Sequence, residues 1–273
     1  VQSYCYGAEV PCRVLPVADG VTDAAALADA LTDDVCCLLV QQPNYFGQLE
    51  DVPALFAAAH AAGAKAVLSI DAMALALLPD GKQVGADIVT GDAQAFGLPM
   101  AFGGPSVGFM AATGAMQRRL PGRIVGQTTD AQGRRAFVLT LQAREQHIRR
   151  EKAQSNICSN QAHCALTASI YMSYMGAAGI RQAAEACVSK AHYLAATLCA
   201  IPGVKLAHSG EFFHEFVTEL PVPAKAVEAA LGAAGILSGL PIGESRMLWC
   251  VTEKQGRATL DEAAQLVKEA CEA

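Results

Sequence analysis

The sequence is poor in charge: 17% of its 273 residues are Asp, Glu, Lys or Arg, against 52% hydrophobic residues. That balance excludes disorder over most of the length, because such a chain buries apolar surface readily. There is no internal repeat and no low-complexity linker, so a solenoid is excluded. There is also no charged segment leading into an apolar core, so no signal peptide is visible. The first residue is Val1, not Met, and Val1 to Val17 reads as strand-like. We therefore expect the chain to start inside a domain. Its length allows one full core, or one large and one small domain.

Two stretches lack charged residues altogether. Ala95 to Met116 holds five glycines and two prolines, which would leave backbone groups unpaired in lipid. Ala153 to Ile180 is studded with Asn, Gln, Ser, Thr and His. Both read as buried parts of a large folded domain, and no membrane partner is expected. The ten cysteines contain no C-x-x-C pair; reduced, mostly buried thiols of a cytoplasmic protein are the expectation. His60, His192, His208 and His214 show no spacing that suggests a metal.

Charge is also unevenly placed. Between Arg118 and Lys152 nine Lys or Arg face three Asp or Glu, a local +6, so the rest of the chain carries −12 against a total of −6. Such a block suits a phosphate, a carboxylate or an acidic partner surface, or else a solvated network of ion pairs. Nothing in it calls for nucleic acid.

The first half alternates strand and helix signals. Asp23 or Thr22 caps a helix over Ala24 to Leu31. Val35 to Val40 reads as a fully buried parallel strand ending in the turn Gln41-Gln42-Pro43-Asn44. A helix over Glu50 to Ala62, a strand over Val67 to Ile70 and a strand over Ala86 to Thr90 follow. This rhythm predicts a mainly parallel sheet with helical cover. Ligands of such sheets sit beyond the carboxyl ends of the strands, which singles out Gln41, Gln42, Asn44, Asp71, Ala72, Asp92 and Gln94. Gly126 to Arg135 reads as a loop and Gln142 to Lys152 as a helix. Two long helices, Asn160 to Met175 and Ile180 to Ala200, lead into a small α+β unit. Its expected elements are strands over Phe212 to Leu220 and Arg246 to Thr252, with helices over Pro223 to Ala233 and Thr259 to Glu272. The expected domains are 1–185 and 186–273.

Specific motifs run through this frame. They include Gln41-Gln42-Pro43-Asn44-Tyr45-Phe46-Gly47, Ala86-Asp87-Ile88-Val89, Phe102-Gly103-Gly104-Pro105, and the long run from Leu139-Thr140-Leu141-Gln142-Ala143-Arg144 to Asn160-Gln161. The sequence resembles the fold type I pyridoxal-phosphate enzymes, and the glycine decarboxylase (P-protein) family in particular. The resemblance spans essentially the whole chain and is weakest from about Ala200 to Gly243. It implies an aspartate-aminotransferase-like large domain with a small C-terminal α+β domain.

In the cofactor-bearing half of that family a Schiff-base lysine lies in a His-Lys-Thr-Phe segment before the Gly-Gly-Pro loop. Aligning that loop on Gly103-Gly104-Pro105 puts Gln94 at the lysine position. An amide cannot form an imine with the cofactor aldehyde. Asp71 takes the place of the aspartate that keeps the pyridine nitrogen protonated. The resemblance therefore implies the α-type subunit, subunit 1, of a split glycine decarboxylase. Pyridoxal phosphate would be held by a lysine-bearing subunit 2, and an aminomethyl group would pass to the lipoyl arm of the H-protein carrier. Thr128, Asp130, Arg134 and Arg144 are the candidate contacts to the partner's site. The isolated chain is expected to be inactive and to self-associate. Two other readings stay open: a purely structural or regulatory subunit, and another active enzyme of the same fold.

Overall fold

The computed structural model describes residues 1–121, 124–140, 146–153 and 161–273. In chain order the strands are β1 (Val17–Ala18), β2 (Val21–Thr22), β3 (Cys37–Gln42), β4 (Lys65–Ile70), β5 (Ile88–Asp92), β6 (Gly108–Ala112), β7 (Ile124–Thr129), β8 (Arg135–Thr140), β9 (Lys205–Leu206), β10 (Glu215–Glu219), β11 (Leu240–Pro241) and β12 (Arg246–Cys250). The helices are α1 (Gln2–Gly7), α2 (Ala24–Ala30), α3 (Val52–Ala61), α4 (Gln146–Arg149), α5 (Ala162–Cys199), α6 (Ala224–Ala233) and α7 (Arg257–Glu272). No described helix is long and apolar enough to cross a membrane.

The first unit is an α/β sheet of order β3-β4-β5-β6. β3, β4 and β5 are parallel, and β6 returns antiparallel beside β5. α2 leads into β3 and α3 links β3 to β4, and both start at aspartate caps. Asp23 accepts from the Ala25 and Ala26 amides ahead of α2, and Asp51 accepts from the Ala54 amide ahead of α3. Each cap satisfies N–H groups that the first helical turn leaves orphaned. Leu27 of α2 and Val52, Leu55 and Phe56 of α3 pack on Val40, Ala66, Leu68 and Ile70. Those sheet residues alternate along the strands, so the helices cover one face. β3 was expected to be buried on both faces; instead Leu39 is 45% exposed. β3 is an edge strand, and α2 and α3 lie against only one side of it. Gly91 lies where β4, β5 and β6 crowd together: a Cβ there would sit 2.4 Å from the Ile70 oxygen and 2.4 Å from the Phe109 ring.

The second unit is an antiparallel sheet of order β11-β12-β10-β9. One face carries Phe216, Met247 and Trp249, which pack on α6, α7 and the end of α5. Complete burial of Phe216 contributes about 1.5–3 kcal/mol. The buried Trp249 indole donates to Thr218 Oγ1 at 2.8 Å, so the one polar atom of that ring has its partner.

α5 was expected as two helices and is two: its helical run breaks at Gly176, whose φ of 62° and ψ of 177° are a glycine conformation. After the kink, Ala184, Cys187, Ala191, Leu194 and Leu198 fall three or four apart and form one buried stripe that Ala195 joins. Before it, Leu166, Ile170 and Tyr174 are exposed.

Two further expectations fail. Val1 to Val17 is not a strand: Gln2–Gly7 forms helix α1, and only Val17–Ala18 enters a short β-ribbon with β2. Gly126 to Arg135 is not a loop: β7 and β8 form an antiparallel hairpin, and only its turn, 130–134, is non-strand.

The two units meet at a seam beside β10. Gln48 bridges to Phe212, and the Leu49 amide donates to the Glu211 carbonyl at 2.8 Å. Gly47 makes this approach possible. Its φ is +79°, and a Cβ would lie 1.9 Å from the Glu215 oxygen, so no other residue fits.

Candidate functional site

The carboxyl ends of β3, β4 and β5 share one edge of the sheet, since Gln42 pairs with Ile70 and Ser69 with Thr90. Asp71 follows β4 directly and Gln94 stands two residues past β5. Adjacent strands lie about 4.8 Å apart, so the positions the sequence singled out do come to one edge.

Most of their polar groups are already used by the chain. The Gln42 Oε1 accepts from the Glu50 amide at 2.9 Å. The Glu50 carboxylate accepts from the Thr22 amide at 2.9 Å and from Asn44 Nδ2 at 2.7 Å. Asn44 Nδ2 also donates to the Gly20 carbonyl, and Asn44 Oδ1 accepts from the Phe46 and Gln48 amides. The Gln-Gln-Pro-Asn segment is thus a fastening for its own loop and for β2. Sequence reasoning took Glu50 only as a helix start and missed its role as the anchor of this network.

Asp71 Oδ1 accepts from the Ala74 amide at 2.9 Å, at the start of a short 3-10 turn over Ala74–Ala76. Gln94 is held at both ends: its amide N–H donates to Asp92 Oδ1 at 2.6 Å, and its side-chain Nε2 donates to the Leu98 carbonyl. Asp92 also accepts from Ser106 Oγ at 2.7 Å and 2.8 Å, which ties the glycine-rich loop back to the strand end. In that loop Gly103 and Gly104 have φ of +110° and +139°. Phe102 projects fully into solvent beside them.

Thr128, Asp130 and Arg134 lie elsewhere, on the β7–β8 hairpin, which is a separate two-stranded sheet. Thr128 is an exposed strand residue paired with Ala136. The Asp130 carboxylate accepts from the Gln132 and Arg134 amides at 2.9 Å and from Arg134 Nε at 2.8 Å. The Arg134 amide, ahead of its guanidinium, holds the Asp130 carboxyl below its ordinary range. Both side chains therefore close the hairpin turn. Arg144 lies outside the described residues, as do 141–145 and 154–160 of the Leu139 to Gln161 run.

The chain matches the profile of the family described as "Glycine cleavage system P-protein" over residues 7–266. The chain belongs to the glycine cleavage system P-protein family. Among curated relatives, a probable glycine dehydrogenase (decarboxylating) subunit 1 of Geotalea daltonii is 45% identical, with 98% of this chain and 62% of the relative covered. A solved glycine decarboxylase (P-protein) of the glycine cleavage system, in inhibitor-bound form, superposes with a TM-score of 0.93 at 40% identity, covering 98% of this chain and 62% of that one. The chain thus spans about three fifths of the P-protein relatives it matches. A sphingosine-1-phosphate lyase of Burkholderia pseudomallei superposes with a TM-score of 0.73 at 18% identity, covering 99% of this chain and 60% of that one, and shares the fold alone. The fold is that of the pyridoxal-phosphate-dependent superfamily, fold type I.

The sheet edge of this P-protein chain does not fit covalent anchoring of that cofactor. The position beyond β5 carries an amide bonded to the Leu98 carbonyl, and the Asp71 carboxylate accepts from the Ala74 amide. Lys65 opens β4, at the far end of the strand from this edge, and pairs with Asp87 at 3.1 Å; Lys82 lies in the turn Pro79-Asp80-Gly81-Lys82 ahead of β5.

Proposed function

We propose that this chain is the non-anchoring, subunit 1-type half of glycine decarboxylase, a cytoplasmic protein that works with a lysine-bearing subunit 2. The observation that carries this reading is Gln94: the segment that would hold the Schiff-base lysine is present, ordered by Asp92 and Leu98, and offers an amide. In this reading pyridoxal phosphate is held by the partner. The two-subunit enzyme decarboxylates glycine and passes the aminomethyl group to the lipoyl arm of the H-protein. Thr128, Asp130, Arg134 and Arg144 supply contacts from this side of the interface, with 1–185 as the large-domain portion and 186–273 as the small domain.

A second reading draws on the hairpin turn. Asp130 and Arg134 pair with each other, which favours a subunit that supports its partner through shape without touching the site. One experiment addresses both. The chain is incubated with pyridoxal phosphate, reduced with borohydride and analysed by peptide mass, then assayed with the lysine-bearing subunit. We expect no adduct on this chain and glycine decarboxylation only with the partner present. A stoichiometric adduct at one of its lysines sinks the proposal. In the same assay Arg134→Ala lowers turnover if the residue reaches the partner's site and leaves it unchanged if the turn is merely structural.

A further inference from the structure

Where the two units meet, pairing of β10 with β12 sets Glu215 opposite Cys250, and His214 precedes Glu215 at the strand entry. One ring nitrogen of His214, a Glu215 carboxylate oxygen and the Cys250 sulfur all lie within 4.8 Å of one another. The sequence held no sign of this group, because His214 and Cys250 are remote in the chain and only the strand register joins them.

The surroundings are those of a cation site. His214 Nδ1 is buried and makes no hydrogen bond, an unfavourable state for a polar atom. The Cys187 Sγ lies 3.6 Å from a Glu253 carboxylate oxygen. Nearby Lys190 gives its ammonium to the Glu253 backbone carbonyl. Acidic and thiol groups thus crowd together here. Cys250 as a residue is exposed, so its thiol is crowded on one side while solvent has a way in.

We propose that His214, Glu215 and Cys250 form a binding site for a zinc-class divalent ion. An imidazole nitrogen, a carboxylate oxygen and a thiolate are the donor types zinc takes, at about 2.0–2.3 Å. The mixed donor set disfavours magnesium and calcium, which take oxygen. Closing three atoms from their present spacing onto one ion needs about 1 Å of side-chain movement. Coordination exchanges the thiol proton, released to solvent, for the ion. Three protein donors leave one tetrahedral position open to water or a small ligand. Gly47 positions the site, since its bare backbone lets the Glu215 strand approach the first unit. The proposal is independent of the role assigned to Gln94.

The test uses the full chain, stripped with chelator and titrated with cobalt(II) as a spectroscopic stand-in, then with zinc by equilibrium dialysis. One equivalent should bind, with a thiolate-to-cobalt charge-transfer band. Cys250→Ser should abolish the band, and His214→Ala should weaken binding at least tenfold. Cys187→Ser should leave both intact. Circular dichroism confirms that each variant is folded; if Cys250→Ser is not, the histidine variant decides. A second thiol group, Cys36 and Cys37 with sulfurs 3.9 Å apart, supplies the control. Binding that survives Cys250→Ser but is lost on changing Cys36 and Cys37 overturns the assignment. So does the absence of any binding at one equivalent.

Discussion

The β10–β12 pair and the β7–β8 hairpin are both antiparallel and both rich in apolar side chains, yet their surfaces differ sharply. Phe216, Val217 and Met247 are at most 1% exposed, whereas Val125, Phe137, Val138 and Leu139 are 46–62% exposed. The first pair finishes its core within the chain, against α5, α6 and α7. The hairpin finishes only its backbone ladder, so its apolar side chains have water where a core would be. Together with the exposed first half of α5, this is more apolar surface than a self-sufficient monomer usually shows. Part of this chain thus closes its own core, and part leaves apolar side chains exposed.

Three measurements sharpen or break this contrast. Phe216→Ala should cost about 3–5 kcal/mol in denaturant unfolding, since it leaves a cavity in a closed core. A loss under about 1 kcal/mol would mean the second unit is loosely packed. Asp87→Asn should cost about 1–2 kcal/mol at neutral pH. Burial raises the Asp87 carboxyl, but the Ala66 amide, His60 and Lys65 outweigh it and hold it below its ordinary range. A depressed carboxyl stabilises the fold above the unfolded value of about 3.9 and loses that contribution as pH falls through its folded value. The gap between wild type and Asp87→Asn should therefore close in acid; a constant gap would show that the variant acts by repacking. Phe137→Ala should change unfolding by no more than about 0.5 kcal/mol, yet light scattering should show reduced self-association. If instead it destabilises as Phe216→Ala does, the hairpin belongs to the core and the contrast falls.

The sequence made the helical and parallel elements legible because their signals are local. Asp23 caps as its position suggests, and the apolar spacing of Ala184 to Leu198 marks a buried stripe. The hairpin was hidden because Gly126, Asp130 and Gly133 read as loop residues, while only 130–134 turns. That Asp71 and Gln94 share one edge was legible, since parallel strands put their ends together. The bonding of Asp130 to Arg134, and the meeting of His214 with Cys250, depend on a turn closure and on register, which residue spacing does not carry.

The kink at Gly176 separates more than two directions of helix. An unbroken helix couples every residue rotationally, so one inserted residue turns all that follows by about 100°. At Gly176 the backbone leaves helical dihedrals, and that coupling is cut. Upstream residues can drift in number and face to suit whatever lies against Leu166, Ile170 and Tyr174, while the stripe from Ala184 to Leu198 keeps its register on the core. The glycine works as a phase break, letting one helix answer to an outside surface at one end and to its own chain at the other.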